Sequence, residues 1–425
     1  MAHRFPAWCR YRSVLGWLLY DVASSGYILL IPSVAYAVYY RQVVCGGTQD
    51  CDARWAAVTS LSLLLAGLLA PLLGAIADLG HLRYRIFVLT TGLCCVATAS
   101  LYWVQPGALV WGSLGFILAQ VAYACSASLY DSYLPLLVPT HRLGQLSGLG
   151  WGLGYLGGLL CFALSYGWLQ GGLTAANLPA YRFTFVAVAG FYLLVALPAF
   201  AWLPRQRASA HPSPVRLFPL AYQQVFQTLR GWQARPSIFQ FLIGYYLLSD
   251  GLVTIGSFIA IYLQTQFGLE MSEILKLTLL FNAIAIPATL GVGYLSQRYS
   301  VFRLLKVIVA LWVGLVLLIG FGRHPSTPLL IAIGLGLVSG STHSLCRGLF
   351  AQIVPPQQSS ELFGFHALVG KISATAGPLV FGVTSAVTGN QRLAMLLLLP
   401  FFLLGGWVLS GLGDAVGAAP EPLEG

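Results

Sequence analysis

Twelve stretches of about twenty or more residues, each nearly free of charge, run through this chain and limit what it can fold into. Their approximate limits are 13–40, 55–79, 86–104, 108–137, 143–170, 181–203, 237–266, 274–297, 303–322, 328–353, 362–387 and 392–412. In lipid every backbone N–H and C=O needs an internal partner, which leaves helices or closed barrels. A barrel is written in segments of about ten residues with alternating polarity, and that pattern is absent here. Only 8% of residues are charged and 58% are hydrophobic, against about a quarter charged in a water-soluble domain. The expectation is an all-α integral membrane protein with the bilayer as its solvent.

The formal net charge of +10 does not read as a nucleic-acid footprint, because the charges sit in short connectors rather than on one basic face. They read as topology signals. Arg4, Arg10 and Arg12 precede the first apolar run and Ala35-Tyr36-Ala37 imitates a signal cleavage site, but Asp21 interrupts the run, so an uncleaved first helix is expected. Connectors on the side of the termini hold fourteen Lys/Arg and those on the other side six, which predicts cytoplasmic termini. No N-x-Ser/Thr sequon occurs, and a bacterial inner membrane is the expected location.

The longest connector, 204–236, carries five Arg and no acid. It divides the chain into an N-terminal six-helix bundle (1–203) and a C-terminal one (237–425). The part around Leu217–Leu229 reads either as an amphipathic surface helix or as a solvated basic linker. The halves echo one another. Val138-Pro139 matches Val354-Pro355, and at the same offset of 216 residues Gly148 matches Gly364 and Gly154 matches Gly370. Leu18-Leu19-Tyr20-Asp21 resembles Leu247-Leu248-Ser249-Asp250, and Gly74…Asp78 resembles Gly293…Gln297. Duplicated halves are a transporter signature.

Charges inside membrane spans are functional candidates because they are costly there. Five are singled out: Asp21, Asp131, Asp250, Arg347 and Lys371. Asp131 and Arg347 each lie eight residues before the matched proline, so a gate-closing pair between them is one reading. The carboxylates could carry protons; permanent pairing with Arg347 or Lys371 is the structural alternative. The glycine run from Gly148 to Gly158 contains a formal G-x-G-x-x-G at Gly152, Gly154 and Gly157. No strand precedes it, and small residues at this spacing read as close helix packing. Seven scattered histidines form no ligand set, no cofactor is called for, and no constellation supports an enzyme. Cys45 and Cys51 lie in a polar loop and could pair if it faces an oxidising compartment.

The residues resemble the major facilitator superfamily, with Gly74, Asp78, Arg83 and Arg85 carrying a Gly-x-x-x-Asp connector. The chain is more closely similar to the vacuole-effluxer-like branch, which includes autophagy-related amino-acid effluxers and bacterial relatives. That resemblance rests on Trp17, Tyr20, Asp21 and Ser25, on Ser147 to Gly158, on Asp250 to Thr254, and on Arg347 to Ala351 with Pro355, Pro356, Phe363, Gly370 and Lys371. Ser24 stands where the branch usually has Asn, and Gln297 where an acid is common. The resemblance implies the major facilitator fold, two pseudo-symmetric six-helix bundles, with the first, fourth, seventh and tenth helices around a central cavity. It implies that Asp21, Asp250, Arg347 and Lys371 contact a small polar or zwitterionic, amino-acid-like solute or protons. Tyr20, Ser24, Ser25 and Thr254 are expected to shape the pocket. Asp131 with Arg347, and Asp78 with Arg83 or Arg85, are expected at cytoplasmic gates. The alternatives are a broad-specificity exporter, or a non-transporting receptor or assembly factor. A monomer in the bilayer, binding no nucleic acid, completes the expectation.

Overall fold

The computed structural model describes residues 7–48, 50–205, 214–373 and 376–412. Arg4, Arg207 and the middle of the basic linker lie outside the described residues. Among those described, twelve helical stretches are long and apolar enough to cross a bilayer. They are Tyr11–Val44, Cys51–Leu79, Arg83–Trp103, Leu109–Leu137, Thr140–Leu169, Leu178–Trp202, Pro236–Phe267, Ser272–Leu295, Val301–Phe321, Thr327–Ile353, Pro356–Thr388 and Gln391–Ser410, numbered here as the first to twelfth spans. No strand occurs among the described residues.

The first span is packed as part of the fold through the segment that imitates a cleavage site. Ala35 and Tyr36 are fully buried, and Tyr36 Oη donates to Gly112 O at 2.8 Å. After it, Cys45 and Cys51 are joined by a disulfide, with Cα atoms 5.7 Å apart. Within that loop Asp50 accepts from Thr48 Oγ1 and from Arg54 Nε, donors that hold its exposed carboxyl below the usual carboxylate range.

The fourth span departs from the sequence reading. Its main helix, Leu109–Asp131, stops at Asp131, and a short turn, Leu134–Leu137, follows. Pro135 accounts for the stop, since it has no N–H and its ring crowds the carbonyl four residues back, that of Asp131. Arg347 instead lies within an unbroken helix, Thr327–Ile353. The two residues are therefore not in equivalent local settings. The eleventh span is described as helices Ser359–Ile372 and Ala376–Thr388. The basic connector forms a helix over Pro214–Arg230.

The chain gathers into two compact units. One takes in the first four spans, the fifth from Leu153 onward, the sixth and the start of the eleventh, Pro356–Leu368. The other takes in Pro139–Gly152 at the start of the fifth span, the seventh to tenth spans, and the eleventh from Val369 with the twelfth. Each unit thus incorporates a short segment from the other half of the sequence. The first unit is cored by stacked rings: Trp17 on Tyr130 at 4.6 Å, Tyr20 on Tyr130 at 4.7 Å and Tyr27 on Tyr123 at 4.9 Å. In the second, Trp312 stacks on Phe402 at 4.9 Å and Phe241 on Phe350 at 4.8 Å. Leu68, Leu89, Val96, Trp111, Leu164 and Trp407 are exposed, as lipid-facing side chains must be in a protein whose solvent is hydrocarbon.

Candidate transport and gating residues

In the first unit, the connector between the second and third spans forms a buried ionic cluster. The second span ends at Leu79, and His81 takes a φ of +50°, a left-handed turn uncommon outside glycine. Beyond that turn Arg83 pairs with Asp78, Nη2 to Oδ1 at 2.9 Å, with the two side chains 1% and 3% exposed. Arg83 also donates to Ser360 Oγ at 2.6 Å, Ser359 Oγ at 2.8 Å and Ser132 O at 3.2 Å. The other Asp78 oxygen accepts the N–H of Glu361 at 2.9 Å. Helix Ser359–Ile372 begins here, so Asp78 satisfies one of the donors left open at its N-terminus and places negative charge where the helix dipole favours it. Glu361 in turn accepts from Gln224. Close approach is built in: a Cβ at Gly74 would strike the carbonyl of Ser360, and one at Gly364 would lie 2.5 Å from Pro71 Cα. Of the two arginines expected beside Asp78, Arg83 is the partner; Arg85 is exposed and takes no part in these hydrogen bonds.

Asp21 and Ser25 are half-buried in the same unit. Ser25 Oγ donates to Asp21 O at 2.7 Å and Ser24 Oγ to the same carbonyl at 3.3 Å. A Cβ at Gly154 would lie 2.7 Å from Ser25 Oγ, so this part of the glycine run serves close helix approach. Tyr20 was expected to shape a pocket. It is fully buried, and its hydroxyl is engaged by Thr91 at 3.1 Å and Tyr192 at 2.8 Å. Asp131 is half-buried at the end of its helix.

In the second unit, Arg347 is 4% exposed and donates from Nε to Ser147 Oγ and from Nη2 to Ser147 O, both at 3.0 Å. Ser147 passes its own proton to Ser344 O at 2.8 Å. The guanidinium carbon lies 5.7 Å from the centre of the Trp151 ring, within cation–π range, and Trp151 stacks on His343 at 4.9 Å and 10°. These contacts join the start of the fifth span to the tenth. Gly148 and Gly293 allow the fifth and eighth spans to touch: a Cβ at Gly148 would fall 2.5 Å from Gly293 Cα.

Asp250 and Thr254 are fully buried in this unit. Asp250 Oδ1 accepts the N–H of Gly377 at 2.9 Å, at the start of helix Ala376–Thr388, while Oδ2 has no hydrogen-bond partner among the described residues. Thr254 Oγ1 donates to Asp250 O at 2.6 Å. The first unit repeats this arrangement with Asp21, Ser25 and Gly154, an Asp whose carbonyl is bonded by the hydroxyl four residues on and faced by a glycine. The sequence reading missed Trp151, His343, Ser147, Ser359, Ser360 and Glu361. His343 and Arg347 are four apart on one helix, so they share a face; that spacing was the available signal. The serines carry no such pattern.

Residues 11–413 match the family described as vacuole effluxer Atg22 like. The chain belongs to that family. It is 23% identical over 402 residues to the uncharacterized MFS-type transporter YxiO of Bacillus subtilis, covering 93% of each chain. It is 21% identical over 500 residues to autophagy-related protein 22 of Chaetomium globosum, covering 90% of this chain and 76% of that protein. Among solved structures, it superposes on the human organic anion transporter MFSD10 with a TM-score of 0.68 at 17% identity, covering 95% of this chain and 100% of that one. For a bacterial homologue of the iron transporter ferroportin in an outward-facing state the TM-score is 0.70 at 13% identity, covering 96% and 99%. The fold of this family member is that of the major facilitator transporters, and the protein is a multi-pass membrane transporter of that type rather than an enzyme.

Proposed function

We propose that the protein moves a small polar or zwitterionic solute, amino-acid-like, across its membrane by alternating access, with protons as the coupling ion. The observation that carries this reading is the Asp78–Arg83–Ser359–Ser360–Glu361 cluster. It holds the start of the eleventh span against the second and third spans by buried polar contacts. Such contacts form a latch that two states can make and break, because their net worth is the small difference between desolvation and pairing. The Ser147–Arg347 contact does the same for the start of the fifth span. Both follow even-numbered spans and so belong to the membrane side that carries the termini.

Three features support the solute and proton assignments. Family relatives are named as effluxers and autophagy-related proteins. The second unit contains charges of both signs within spans, Asp250 opposite in sign to Arg347 and Lys371, as a zwitterion requires. Asp250 keeps one oxygen without a partner, and a buried carboxylate in that position is far less costly with a proton on it. Cytoplasmic termini are supported by the Lys/Arg asymmetry and independently by the Cys45–Cys51 disulfide, since the loop after the first span then faces an oxidising compartment. The same assignment suits a bacterial inner membrane.

The test is counterflow and pH-gradient-driven uptake of radiolabelled amino acids in proteoliposomes, for the wild type and Asp250→Asn. Asn keeps the carbonyl acceptor for Gly377 N–H but cannot exchange a proton. The expected result is retained counterflow with loss of the response to the pH gradient. Absence of counterflow for every amino acid refutes the solute class; an unchanged pH response refutes the proton role. An organic-anion solute is the second reading, favoured by the two cations Arg347 and Lys371 within the tenth and eleventh spans, and it is tested in the same vesicles with monocarboxylates lacking an amine.

A further inference from the structure

The basic connector forms a helix over Pro214–Arg230, whose surface from Leu217 onward divides into three faces. Leu217, Ala221 and Thr228 are buried, and Gln224, on the same face, donates to Glu361. This face packs on the protein. On the adjoining face Phe218, Tyr222, Phe226 and Leu229 are exposed, Tyr222 to 65% and Phe218 to 58%. They recur at spacings of three and four residues, which puts them on one stripe. Gln223, Gln227 and Arg230 occupy the remaining side and are exposed. Just beyond the helix, Trp232 is also exposed, to 56%.

A contiguous stripe of aromatic and aliphatic side chains does not stay in water without an apolar phase to meet. The location restricts which phase that is. The helix ends at Arg230 and the seventh span begins at Pro236, a separation that a chain of this length bridges by at most about 20 Å. Gln224 also ties the helix to the start of the eleventh span. The nearest apolar phase is therefore the bilayer surface on the side of the termini. Charge then selects the lipid: the connector over 204–236 holds five arginines and no acid, and basic groups next to an inserted aromatic stripe fit a negatively charged headgroup layer.

We infer that helix Pro214–Arg230 is an interfacial helix that docks on anionic phospholipid, with Phe218, Tyr222, Phe226 and Leu229 at the acyl boundary and Arg230 among the headgroups. The helix thereby anchors the connector between the two sequence halves to the membrane surface. The inference is independent of the solute transported.

The test uses full-length protein carrying single spin labels at positions 218, 222, 229, 223 or 227 in a background stripped of other reactive thiols. It is reconstituted in phosphatidylcholine vesicles with or without phosphatidylglycerol, and accessibility to oxygen and to a water-soluble nickel chelate is measured by electron paramagnetic resonance. Labels at 218, 222 and 229 are expected to be reached by oxygen and protected from nickel, with the reverse at 223 and 227. The contrast should grow with phosphatidylglycerol and shrink as salt rises to about 1 M, where the Debye length falls to ~3 Å. Equal nickel access at all five positions overturns the inference and leaves the stripe to a protein partner. A contrast that is the same with and without phosphatidylglycerol overturns the lipid selectivity. Because each labelled position is exposed, the substitutions leave the packed face untouched.

Discussion

Replacing Asp78 by Asn tests the ionic cluster directly. The substitution preserves shape and leaves an oxygen to accept from Glu361 N–H, so helix Ser359–Ile372 keeps a neutral partner at its N-terminus. What it removes is the counter-charge of Arg83, which is 1% exposed. Removing one partner of a buried pair costs about 3–5 kcal/mol, because the remaining charge stays desolvated. Ser359, Ser360 and the Ser132 carbonyl still accept from Arg83, so the lower end, about 3 kcal/mol, is the appropriate figure. At roughly 1.4 kcal/mol per tenfold, opening of this contact should become about a hundredfold more frequent. Hydrogen exchange of the amides over 360–363, followed by mass spectrometry in nanodiscs, reads that opening. A second substitution, Arg83→Gln, removes the orphaned charge and should return part of the protection. If exchange in Asp78→Asn stays within about threefold of wild type, the pair does not hold the start of the eleventh span and the latch reasoning fails.

Three further outcomes follow from the geometry. Gly148→Val should lower the melting temperature, by overpacking worth about 1–3 kcal/mol, because its Cβ would meet the Gly293 backbone; an unshifted melt would mean these spans are not in contact. Reducing the Cys45–Cys51 bond, or Cys51→Ala, should cost about 2 kcal/mol on chain-entropy grounds, with alkylation and intact-mass measurement checking that the bond is present in protein purified without reductant. His81→Gly should be neutral to stabilising by up to about 1 kcal/mol in thermal melts, since glycine takes a positive φ without the Cβ contact; a loss would show that the His81 side chain contributes more than its backbone strain costs.

The spans were legible because lipid leaves the chain so few choices. The tenth span, expected at 328–353, is Thr327–Ile353, and the second, expected at 55–79, is Cys51–Leu79. The Asp78–Arg83 contact was half legible: the spacing named the acid and two arginines, and only the left-handed turn at His81 decides between them. The break after Asp131 was written in Pro135 but hidden within an apolar run. Tyr20, Asp250 and Thr254 were picked out as polar residues in apolar helices. The Tyr20 hydroxyl and the Asp250 carboxyl are engaged inside the bundles by Thr91, Tyr192 and Gly377, partners remote in sequence that no local pattern reveals, while the Thr254 hydroxyl bonds the carbonyl four residues back. The same holds for Ser147 and Ser360, small common residues whose importance lies in which arginine they meet.

The Asp250–Gly377 contact bears on how the chain is assembled. The N–H of Gly377, in the first described turn of helix Ala376–Thr388, is accepted by Asp250 Oδ1, and a main-chain donor without a partner in hydrocarbon is costly. Asp250 supplies the acceptor from the seventh span, which leaves the ribosome earlier. The order of the two segments along the polypeptide is thus the order that insertion needs, and a circularly permuted chain presenting the eleventh span first should be retained poorly by the membrane.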